Sequence, residues 1–594
     1  MLLRLLRTSV RPYLPWVVGV LVFQLLSTIA TLYLPSLNAR IIDHGVTRGD
    51  TDYIWRTGAV MLTVALAQVL CAVVAVWCGA RTAMGVGRDL RRDVFTRVGS
   101  FSAREVGTFG APSLITRNTN DVQQIQMLTL MALNFMVMAP IMCVGGIIMV
   151  MAPIMCVGGI IMALREDPGL SWLVWVSIPV MGVLLGLVVS RLMPWFRTMQ
   201  ERIDGINGVL REQITGIRVI RAFVKEPFET RRFARANQDL TDISLKIGAL
   251  FVLMFPVINM VMHLATAAVL WFGGHRVDQG EIQVGALTAF LQYMLQILMA
   301  VMMATFMFMM VPRAVVSAER ITEVLGTRPA MTPPAQPAEA PPARGRLEFR
   351  DVTFQYPGAE APVLDDICFT AEPGRTVAIV GATGSGKSTL INLVPRLIDP
   401  VAGEVLLDGL ALPRYAPEDL AGRVGLVPQR PFLFSGTVAS NLRFGRADAT
   451  DEQLWEALRV AQAEDFVRAM PQGLDSPVSQ GGTNVSGGQR QRLSIARALV
   501  ARPSVYVFDD SFSALDVATD ARLRAALRPV TRHATVVTVA QRVSTITDAD
   551  EILVVEKGRI TARGTHDELV ASSTTYREIV TSQLSADQST GGAL

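Results

Sequence analysis

The chain has few charged residues, few cysteines and little excess charge of either sign. Charged side chains are 18% of its 594 residues, below the roughly 25% of a soluble protein. The five cysteines form no CxxC pair, which argues against a metal site or a disulfide framework. A net charge of +4 is too small to indicate a nucleic-acid-binding protein. The N-terminal residues lack a short apolar region with a small-residue cleavage site, so we expect no cleaved signal peptide.

Long apolar runs, by contrast, are abundant. Hydrophobic residues make up 51% of the chain, and the mean hydropathy is +0.37. A membrane-spanning helix needs about 20 mainly apolar residues. The sequence predicts six such helices within residues 1–325, at 14–37, 57–79, 125–163, 171–193, 247–273 and 284–311. One such run could be a buried core helix, but six in succession indicate an integral membrane domain in contact with lipid.

The distribution of Lys and Arg predicts the orientation of this domain. Seven arginines lie in 81–117 and ten Lys or Arg in 197–246, whereas the other connections have one or two. Cytoplasmic loops carry the excess of positive charge, so we expect both long loops and both termini on the cytoplasmic side of an inner or plasma membrane. Apolar residues at helical spacing in these loops predict that the membrane helices extend into the cytoplasm.

The third predicted span contains a direct repeat. Residues 137–149 read VMAPIMCVGGIIM, and residues 150–162 repeat the same letters. One helix over 125–163 would be about 58 Å long at ~1.5 Å per residue, whereas the hydrocarbon core is about 30 Å thick. Two interpretations stay open: the second copy bulges at the outer end of the helix, or it is an artefact of the recorded sequence.

Polar residues and methionines inside the later spans suggest a substrate path. Asn259 and His263 are four positions apart and share one helix face. Polar groups within a membrane usually face the bundle interior or an aqueous cavity, although an interhelical hydrogen bond that only stabilises the bundle is the alternative. Met299 and Met303 are added to the predicted path because flexible, polarisable side chains accept many ligand shapes; packing or lipid contact is their alternative.

A second domain follows a proline-rich segment. Residues 326–345 contain six prolines, which is typical of an extended linker. Beyond them, short apolar runs alternate with helical stretches and indicate an α/β domain over 346–581, with a flexible tail at 582–594.

The most specific motif follows the apolar run at 376–380. It has the pattern GxxxxGK[ST] between a strand and a helix, where backbone N–H groups surround phosphate oxygens. The predicted phosphate-binding residues are Gly381, Ala382, Thr383, Gly384, Ser385, Gly386, Lys387, Ser388 and Thr389. Lys387 is expected to reach the β- and γ-phosphates, and the Ser388 hydroxyl to bind Mg²⁺. The predicted fold is therefore six transmembrane helices with long cytoplasmic extensions, followed by an α/β P-loop ATPase domain.

Two further motifs belong to the same chemistry. The strand-like run at 505–509 ends in Asp509 and Asp510, and a strand-terminal carboxylate suits Mg²⁺. Before it, a Ser-Gly-Gly turn opens a helix and offers a second set of backbone donors to a phosphate. Because one nucleotide needs only one P-loop, this second site is expected to serve the nucleotide of another molecule. Its residues are Val485, Ser486, Gly487, Gly488 and Gln489.

The six spans, the P-loop, the VSGGQ motif and the run FDDSFSALD together resemble a half-transporter of the ABC exporter family. The resemblance implies that two halves pair and hold two ATP molecules, each between one P-loop and the other half's Ser-Gly-Gly motif. It implies that Tyr356 stacks on adenine, that Gln429 contacts Mg²⁺ and senses the γ-phosphate, and that short coupling helices in the basic loops dock on the nucleotide domains. The loop that crosses the dimer would consist of Ser513, Ala514, Leu515 and Asp516.

The chain departs from the family pattern at two catalytic positions. Asp510 stands where the family has a catalytic Glu, and Gln541 stands where it has a switch His. The Asp carboxylate would lie about 1–1.5 Å further from the attacking water, and a misplacement of ~1 Å can cost on the order of 10²-fold in rate. Gln can hydrogen-bond a phosphate but cannot carry the positive charge of His. We therefore expect ATP and Mg²⁺ binding with slow hydrolysis.

These departures predict the degenerate-site subunit of a heterodimer. A second half-transporter would hydrolyse most of the ATP, and the pair would export small drug-like or lipid-like amphipathic substrates. Three alternatives stay open: a homodimer that tolerates Asp510 and Gln541, an importer of a siderophore or lipid on the same fold, and an ATP-gated channel or regulatory binding subunit with little transport of its own.

Overall fold

In the computed structural model, the described residues are 1–135, 161 and 170–591. They form two compact units. The first comprises Met1–Ser100 and Phe109–Thr327, and the second comprises Phe101–Thr108 and the chain from Arg328 onwards. The repeat at 137–149 and 150–162, and most of the predicted span 125–163, lie outside the described residues.

The first unit is helical. Its long helices are built from continuous apolar runs, and Thr51–Gly99 starts where the Asp50 carboxylate accepts a capping hydrogen bond from the Tyr53 N–H at 3.0 Å. Among the described residues, the α-helices that carry residues of this unit are Leu2–Val10, Leu14–Arg40, Thr51–Gly99, Ala103–Phe109, Ala111–Thr116, Val122–Phe135, Ser171–Thr215, Ile217–Ala222, Glu226–Asp278 and Val284–Gly326.

Four helical segments among the described residues are long and apolar enough to cross a membrane. They are Leu2–Val46, Thr51–Gly99, Trp172–Thr215 and Glu226–Asp278, and they match the predicted spans at 14–37, 57–79, 171–193 and 247–273. The predicted span 284–311 falls in the helix Val284–Gly326, of which Val284–Met299 is a shorter apolar helix. The total of six therefore stays a prediction. At 49 and 53 residues, two of the helices are far longer than a bilayer requires.

Polar bonds link helices of the first unit at positions that the sequence did not single out. Tyr293 is fully buried, and its hydroxyl donates to the Leu32 carbonyl at 2.9 Å. The Gln68 amide donates to the Thr31 hydroxyl at 2.9 Å. Because lipid offers no competing partners, such bonds stabilise helix pairs in membranes.

The second unit is an α/β domain with three sheets. The largest has the order β12-β11-β3-β10-β9-β6 and is parallel except for the pair β11–β12. Its strands are β3 Thr376–Val380, β6 Val424–Val427, β9 Val505–Asp509, β10 Thr535–Val539, β11 Glu551–Glu556 and β12 Arg559–Gly564. An antiparallel sheet has the order β2-β1-β4-β5, with β1 Leu347–Phe354, β2 Leu364–Ala371, β4 Ala402–Leu407 and β5 Leu410–Ala411. The short strands β7 Gly436–Thr437 and β8 Pro477–Val478 pair with each other.

The apolar runs at β3 and β9 form central strands of the parallel sheet. Such strands are apolar at nearly every position because both faces of a parallel sheet are buried. The carboxyl ends of β3, β9 and β10 meet at one edge, and the loops that follow them carry the predicted site. The helices of this domain are Lys387–Leu393, Pro417–Arg423, Val438–Arg443, Asp451–Val460, Glu464–Arg468, Gly487–Ala501, Val517–Thr531, His566–Ser572 and Thr574–Gly591. The last of these runs across the predicted domain boundary at 581.

The proline-rich segment between Gly326 and β1 forms no helix or strand. It is nevertheless bonded to the rest of the second unit, since the Gly345 N–H donates to the Asp408 carboxylate at 2.8 Å and the Ala338 N–H donates to the Arg414 carbonyl at 2.9 Å. The predicted limits of the linker and of the domains stay predictions.

The short segment Phe101–Thr108 also belongs to the second unit. Within it, the buried Glu105 carboxylate accepts from the Ser102 N–H and hydroxyl, both at 2.7 Å, and from the Ala330 N–H at 3.3 Å. Burial alone would raise the pKa of Glu105, but these hydrogen bonds outweigh it and hold the pKa below its ordinary value. This segment lies in the first basic loop, where a coupling helix is expected.

Candidate nucleotide site

The P-loop connects β3 to the helix Lys387–Leu393, as the sequence predicts. Gly386 has a φ of +100°, and a Cβ there would lie 2.8 Å from a side-chain atom of Leu364 and 2.9 Å from the Val363 carbonyl oxygen. A Cβ on Gly381 would lie 2.1 Å from the Val555 carbonyl oxygen. Gly386 therefore requires glycine for both its backbone conformation and the available space, and Gly381 requires it for space alone.

Lys387 is directed back onto its own loop. Its ammonium donates to the carbonyls of Gly381 at 2.8 Å and Ala382 at 2.7 Å. Burial lowers the pKa of Lys387, and the charges of Asp509 and Asp510 oppose that shift. Ser385 is 5% exposed, and its hydroxyl oxygen has no hydrogen-bond partner among the described residues. An oxyanion held by this loop would satisfy both groups.

Two neighbouring acids end β9 at the same edge of the sheet. Burial raises the pKa of Asp509, and the Asp510 charge adds to the shift, while a hydrogen bond from Ser388 and the charge of Lys387 oppose it. Asp510 is buried and has a φ of +47°, a left-handed conformation that Asp tolerates better than most residues. The Gln429 amide donates to its carboxylate at 3.3 Å.

These groups line one cleft of about 560 Å³. The structure thus brings together most of the predicted P-loop with Gln429, Asp509, Asp510 and Gln541. Two residues of the C-terminal helix, Ile579 and Gln583, also line the cleft. Sequence reasoning missed them, and no local motif marks them. The lining residues from predicted motifs are Gly381, Ala382, Thr383, Gly384, Gly386, Lys387, Ser388, Thr389, Gln429, Asp509, Asp510 and Gln541.

Tyr356 lies beside the P-loop helix rather than among the residues that line the cleft. Its ring is half exposed and makes an edge contact with Phe354 at a centroid distance of 4.9 Å. Its hydroxyl lies 3.3 Å from the Thr389 hydroxyl. Stacking on adenine stays a prediction.

The Ser-Gly-Gly motif forms the start of the helix Gly487–Ala501. The Ser486 hydroxyl accepts from the Gln489 N–H at 3.2 Å, and the Gln489 side chain accepts from the Ser486 N–H at 2.9 Å. This reciprocal capping box leaves the N–H groups of Gly487 and Gly488 in the first turn. Val485 is buried beneath the turn. None of the five predicted residues is among those that line the P-loop cleft.

The predicted dimer-crossing loop follows Asp510 directly. The Ser513 hydroxyl donates to the Asp510 carbonyl at 2.8 Å, and Ala514 is exposed whereas Leu515 is buried. Asp516 caps the helix Val517–Thr531 by accepting from the Thr519 N–H at 2.9 Å, and this bond lowers the pKa of Asp516.

The predicted substrate-path residues lie on exposed faces of the first unit. Asn259 and His263 are exposed, whereas the buried face of the same helix carries Ile258, Val261 and Ala265. Within the described residues, neither polar side chain forms the interhelical hydrogen bond that was the alternative. Met299 is also exposed, and the Met303 side chain lies outside the described part of the structure.

A helical membrane unit joined to an α/β domain with a P-loop, strand-terminal acids and a second phosphate-binding turn defines a membrane-bound P-loop ATPase. The sequence matches the family described as "ABC transporter transmembrane region" over residues 17–152 and 147–301. Residues 364–513 match the family described as "ABC transporter". The chain therefore belongs to the ABC transporter family, with fused transmembrane and ATP-binding domains. It is a multi-pass membrane protein with an ATPase domain that couples hydrolysis to transport.

Known proteins resemble the chain over nearly its whole length. An "Uncharacterized ABC transporter ATP-binding protein" of Mycobacterium tuberculosis (strain ATCC 25618 / H37Rv) is 50% identical, over 98% of both chains. A "Fatty acid ABC transporter ATP-binding/permease protein" of Mycobacterium tuberculosis (strain CDC 1551 / Oshkosh) is 33% identical, over 87% of this chain and 80% of its own length. A solved bacterial Atm1-family ABC exporter with ATP bound has a TM-score of 0.77 at 24% identity, over 97% of this chain and 98% of the other. The fold is thus that of an Atm1-type exporter.

Proposed function

We propose that the chain is the degenerate-site subunit of a heterodimeric exporter. In this proposal, it binds ATP in its own P-loop cleft, hydrolyses it slowly, and completes a fast site on a second half-transporter. The solved protein of similar fold is described as an exporter, which supports export as the proposed direction. The two basic loops, the nucleotide domain and the termini lie in the cytoplasm, on the cytoplasmic side of an inner or plasma membrane.

The described cleft residues fit an ATP phosphate chain and Mg²⁺. The P-loop backbone and Lys387 hold the phosphates, and Tyr356 stacks on the adenine. Ser388, Gln429 and Asp509 hold Mg²⁺, which neutralises the charge on the β- and γ-phosphate oxygens when it is bound. The unsatisfied Ser385 hydroxyl and the raised pKa of the half-buried Asp509 support this assignment, because an oxyanion satisfies the first and a cation favours the charged form of the second.

The observation that carries the proposal is the geometry of Asp510. Its backbone N–H donates to the Val539 carbonyl at 3.0 Å, and its carboxylate accepts from the Gln429 amide. The residue is buried, and its carbonyl also accepts from the Ser513 hydroxyl. These bonds hold its backbone on both sides, so the shorter Asp leaves the carboxylate behind the position that a Glu would reach. Gln541, which lines the same cleft, offers no positive charge. Water activation and charge stabilisation are therefore both weakened, whereas phosphate binding is retained.

The Ser-Gly-Gly turn shows no comparable defect. Its capping box is complete, and the first-turn N–H groups remain for an anion. The partner would supply a P-loop, a Glu and a His against Ser486, Gly487, Gly488 and Gln489, while residues 513–516 cross to its site.

The substrate is proposed to be a drug-like or lipid-like amphipathic molecule. The 33% identical relative is named for fatty acids, which supports the lipid-like class. Asn259, His263, Met299 and Met303 are proposed to line its path, and the exposure of the first three within this chain is consistent with a cavity shared with a partner.

The test is Mg-ATPase activity of the chain alone in lipid nanodiscs, beside the double variant Asp510→Glu/Gln541→His. We expect the wild type to bind ATP with little turnover and the double variant to turn over on the order of 10²-fold faster. The control is the triple variant that adds Lys387→Ala, in which the gained activity should disappear. Robust hydrolysis by the wild-type chain alone would overturn the degenerate-site proposal and favour a homodimer.

A further inference from the structure

The C-terminal helix Thr574–Gly591 contributes to the nucleotide cleft, where Ile579 and Gln583 join Gln541 in the lining. The helix is anchored near its start. Tyr576 is fully buried, and its hydroxyl lies 2.8 Å from the His566 ring nitrogen Nδ1. The position of Gln583, two turns further along, is therefore set by packing.

Gln583 makes two hydrogen bonds to the backbone of the loop after β10. Its Nε2 donates to the Gln541 carbonyl at 2.5 Å, and its Oε1 accepts from the Val543 N–H at 2.7 Å. A primary amide carries a donor and an acceptor together, so it pairs with a peptide backbone as a neighbouring strand would. A carboxylate of the same shape keeps the acceptor and loses the donor.

These bonds act on the residue that departs from the family pattern. The Gln541 side chain is exposed, and in the described part of the chain it makes no hydrogen bond of its own. Its direction therefore depends on the backbone that follows its Cα, where Gln583 bonds to the Gln541 carbonyl and to the Val543 N–H.

We propose that Gln583 is a positioning residue that directs Gln541 toward the γ-phosphate. The inference rests on the proposed ATP site. The P-loop contacts serve ATP and ADP alike, whereas a side chain that reaches the γ-phosphate distinguishes them. The C-terminal helix thereby contributes to the preference of the cleft for ATP over ADP.

The experiment measures equilibrium affinities for Mg-ATP and Mg-ADP, using the full chain in nanodiscs and competition against a fluorescent ATP analogue. Gln583→Ala and Gln541→Ala are each expected to reduce the ratio of ATP to ADP affinity about threefold to tenfold, the range of one lost hydrogen bond. The double variant should reduce it no further, because both act through the same contact. Gln583→Glu should behave like Gln583→Ala. Glu578→Ala, an exposed position on the same helix, should leave the ratio unchanged.

A helix with a merely structural role would give a different result. Gln583→Ala would then lower both affinities together, or lower thermal stability, with the ATP to ADP ratio intact, and the inference would be wrong. Additive effects of the two substitutions would also overturn it, because Gln583 would then act independently of Gln541. A folded wild-type chain that binds neither nucleotide would overturn the proposed ATP site, and this inference with it.

Discussion

The P-loop cleft and the Ser-Gly-Gly turn both lie at the start of a helix, but their polar groups differ in how well the chain itself satisfies them. At the cleft, Lys387 bonds to carbonyls of its own loop, the Ser385 hydroxyl of the same loop has no partner among the described residues, and the half-buried Asp509 has a raised pKa. In the turn, Ser486 and Gln489 satisfy each other.

This difference separates two tasks within one chain. A cleft with unsatisfied charges gains most from binding a ligand of opposite charge, so ATP and Mg²⁺ complete it even where hydrolysis is slow. A turn whose capping box is complete is preorganised, and its first-turn N–H groups can bind a nucleotide brought by another molecule without first rearranging. Changes to the turn should therefore affect turnover of the pair, and changes to the cleft should affect mainly nucleotide binding.

The largest expected effect is that of Gly487→Ala in the purified pair. A Cβ at Gly487 meets no atom within 4 Å in this chain, and the residue is helical, so the variant should fold normally. The methyl group would displace the opposite nucleotide's phosphates by roughly 1 Å, which can cost on the order of 10²-fold in rate. Steady-state ATPase activity of the pair measures the loss.

Two matched variants give this comparison its meaning. Gly422→Ala adds the same methyl group to another helical position with open space, and it should leave turnover unchanged. Asp510→Ala should reduce turnover of the pair less than about threefold, because the P-loop cleft of this chain contributes little to the ATP hydrolysis of the pair. Equal losses from Gly487→Ala and Asp510→Ala would show that the two sites work alike and would contradict the asymmetry.

A smaller effect is expected from Lys387→Ala. Hydrogen bonds to a charged partner contribute about 1.5–3 kcal/mol, so the ATP affinity of the cleft should fall roughly 10- to 100-fold. Equilibrium binding to the chain alone measures it. Gly487→Ala should leave this affinity unchanged, which separates the cleft from the turn. Unaltered ATP binding by Lys387→Ala would place the nucleotide elsewhere.

The sequence identifies those parts of the site whose residues are neighbours along the chain. The P-loop and the Ser-Gly-Gly turn each supply consecutive backbone donors. Nine residues of sequence therefore specify the P-loop, and five specify the turn. The membrane helices are recognisable for a similar reason, because about 20 consecutive apolar residues suffice.

Features that depend on packing between distant segments could not be predicted. Gln583 reaches residues about forty positions earlier, and nothing in its own helix marks that contact. Glu105 belongs to the second unit although it follows a membrane helix in sequence, and its partner Ala330 is 225 positions away. The bond from Tyr293 to the Leu32 carbonyl is of the same kind. In each case one polar atom finds its partner only after the chain has folded.

Glu105 and Asp509 allow the same comparison between two single side chains. Both are carboxylates of the second unit, and their pKa values are shifted in opposite directions. Three hydrogen bonds lower the pKa of Glu105, so its ionised form stabilises the fold above the ordinary Glu range, and this contribution is lost as pH falls through the lowered pKa. Asp509 has a raised pKa, so its ionised form destabilises the ligand-free fold at neutral pH, and acidification relieves that penalty.

At pH 7, Glu105→Gln should therefore lower the melting temperature by about 2–4 °C, and it should flatten the fall in stability toward acid pH. Asp509→Asn should raise the melting temperature of the ligand-free chain while reducing its stabilisation by Mg-ATP. Thermal unfolding of the chain in nanodiscs between pH 4 and 8 measures both, with Glu578→Gln as the exposed control. If both variants raised the melting temperature, burial alone would set the direction of the pKa shift of each carboxylate. The Asp509 carboxylate in the cleft would then be no different from Glu105 elsewhere in the domain. The proposal that the cleft leaves a charge to be stabilised by a bound ligand would fail.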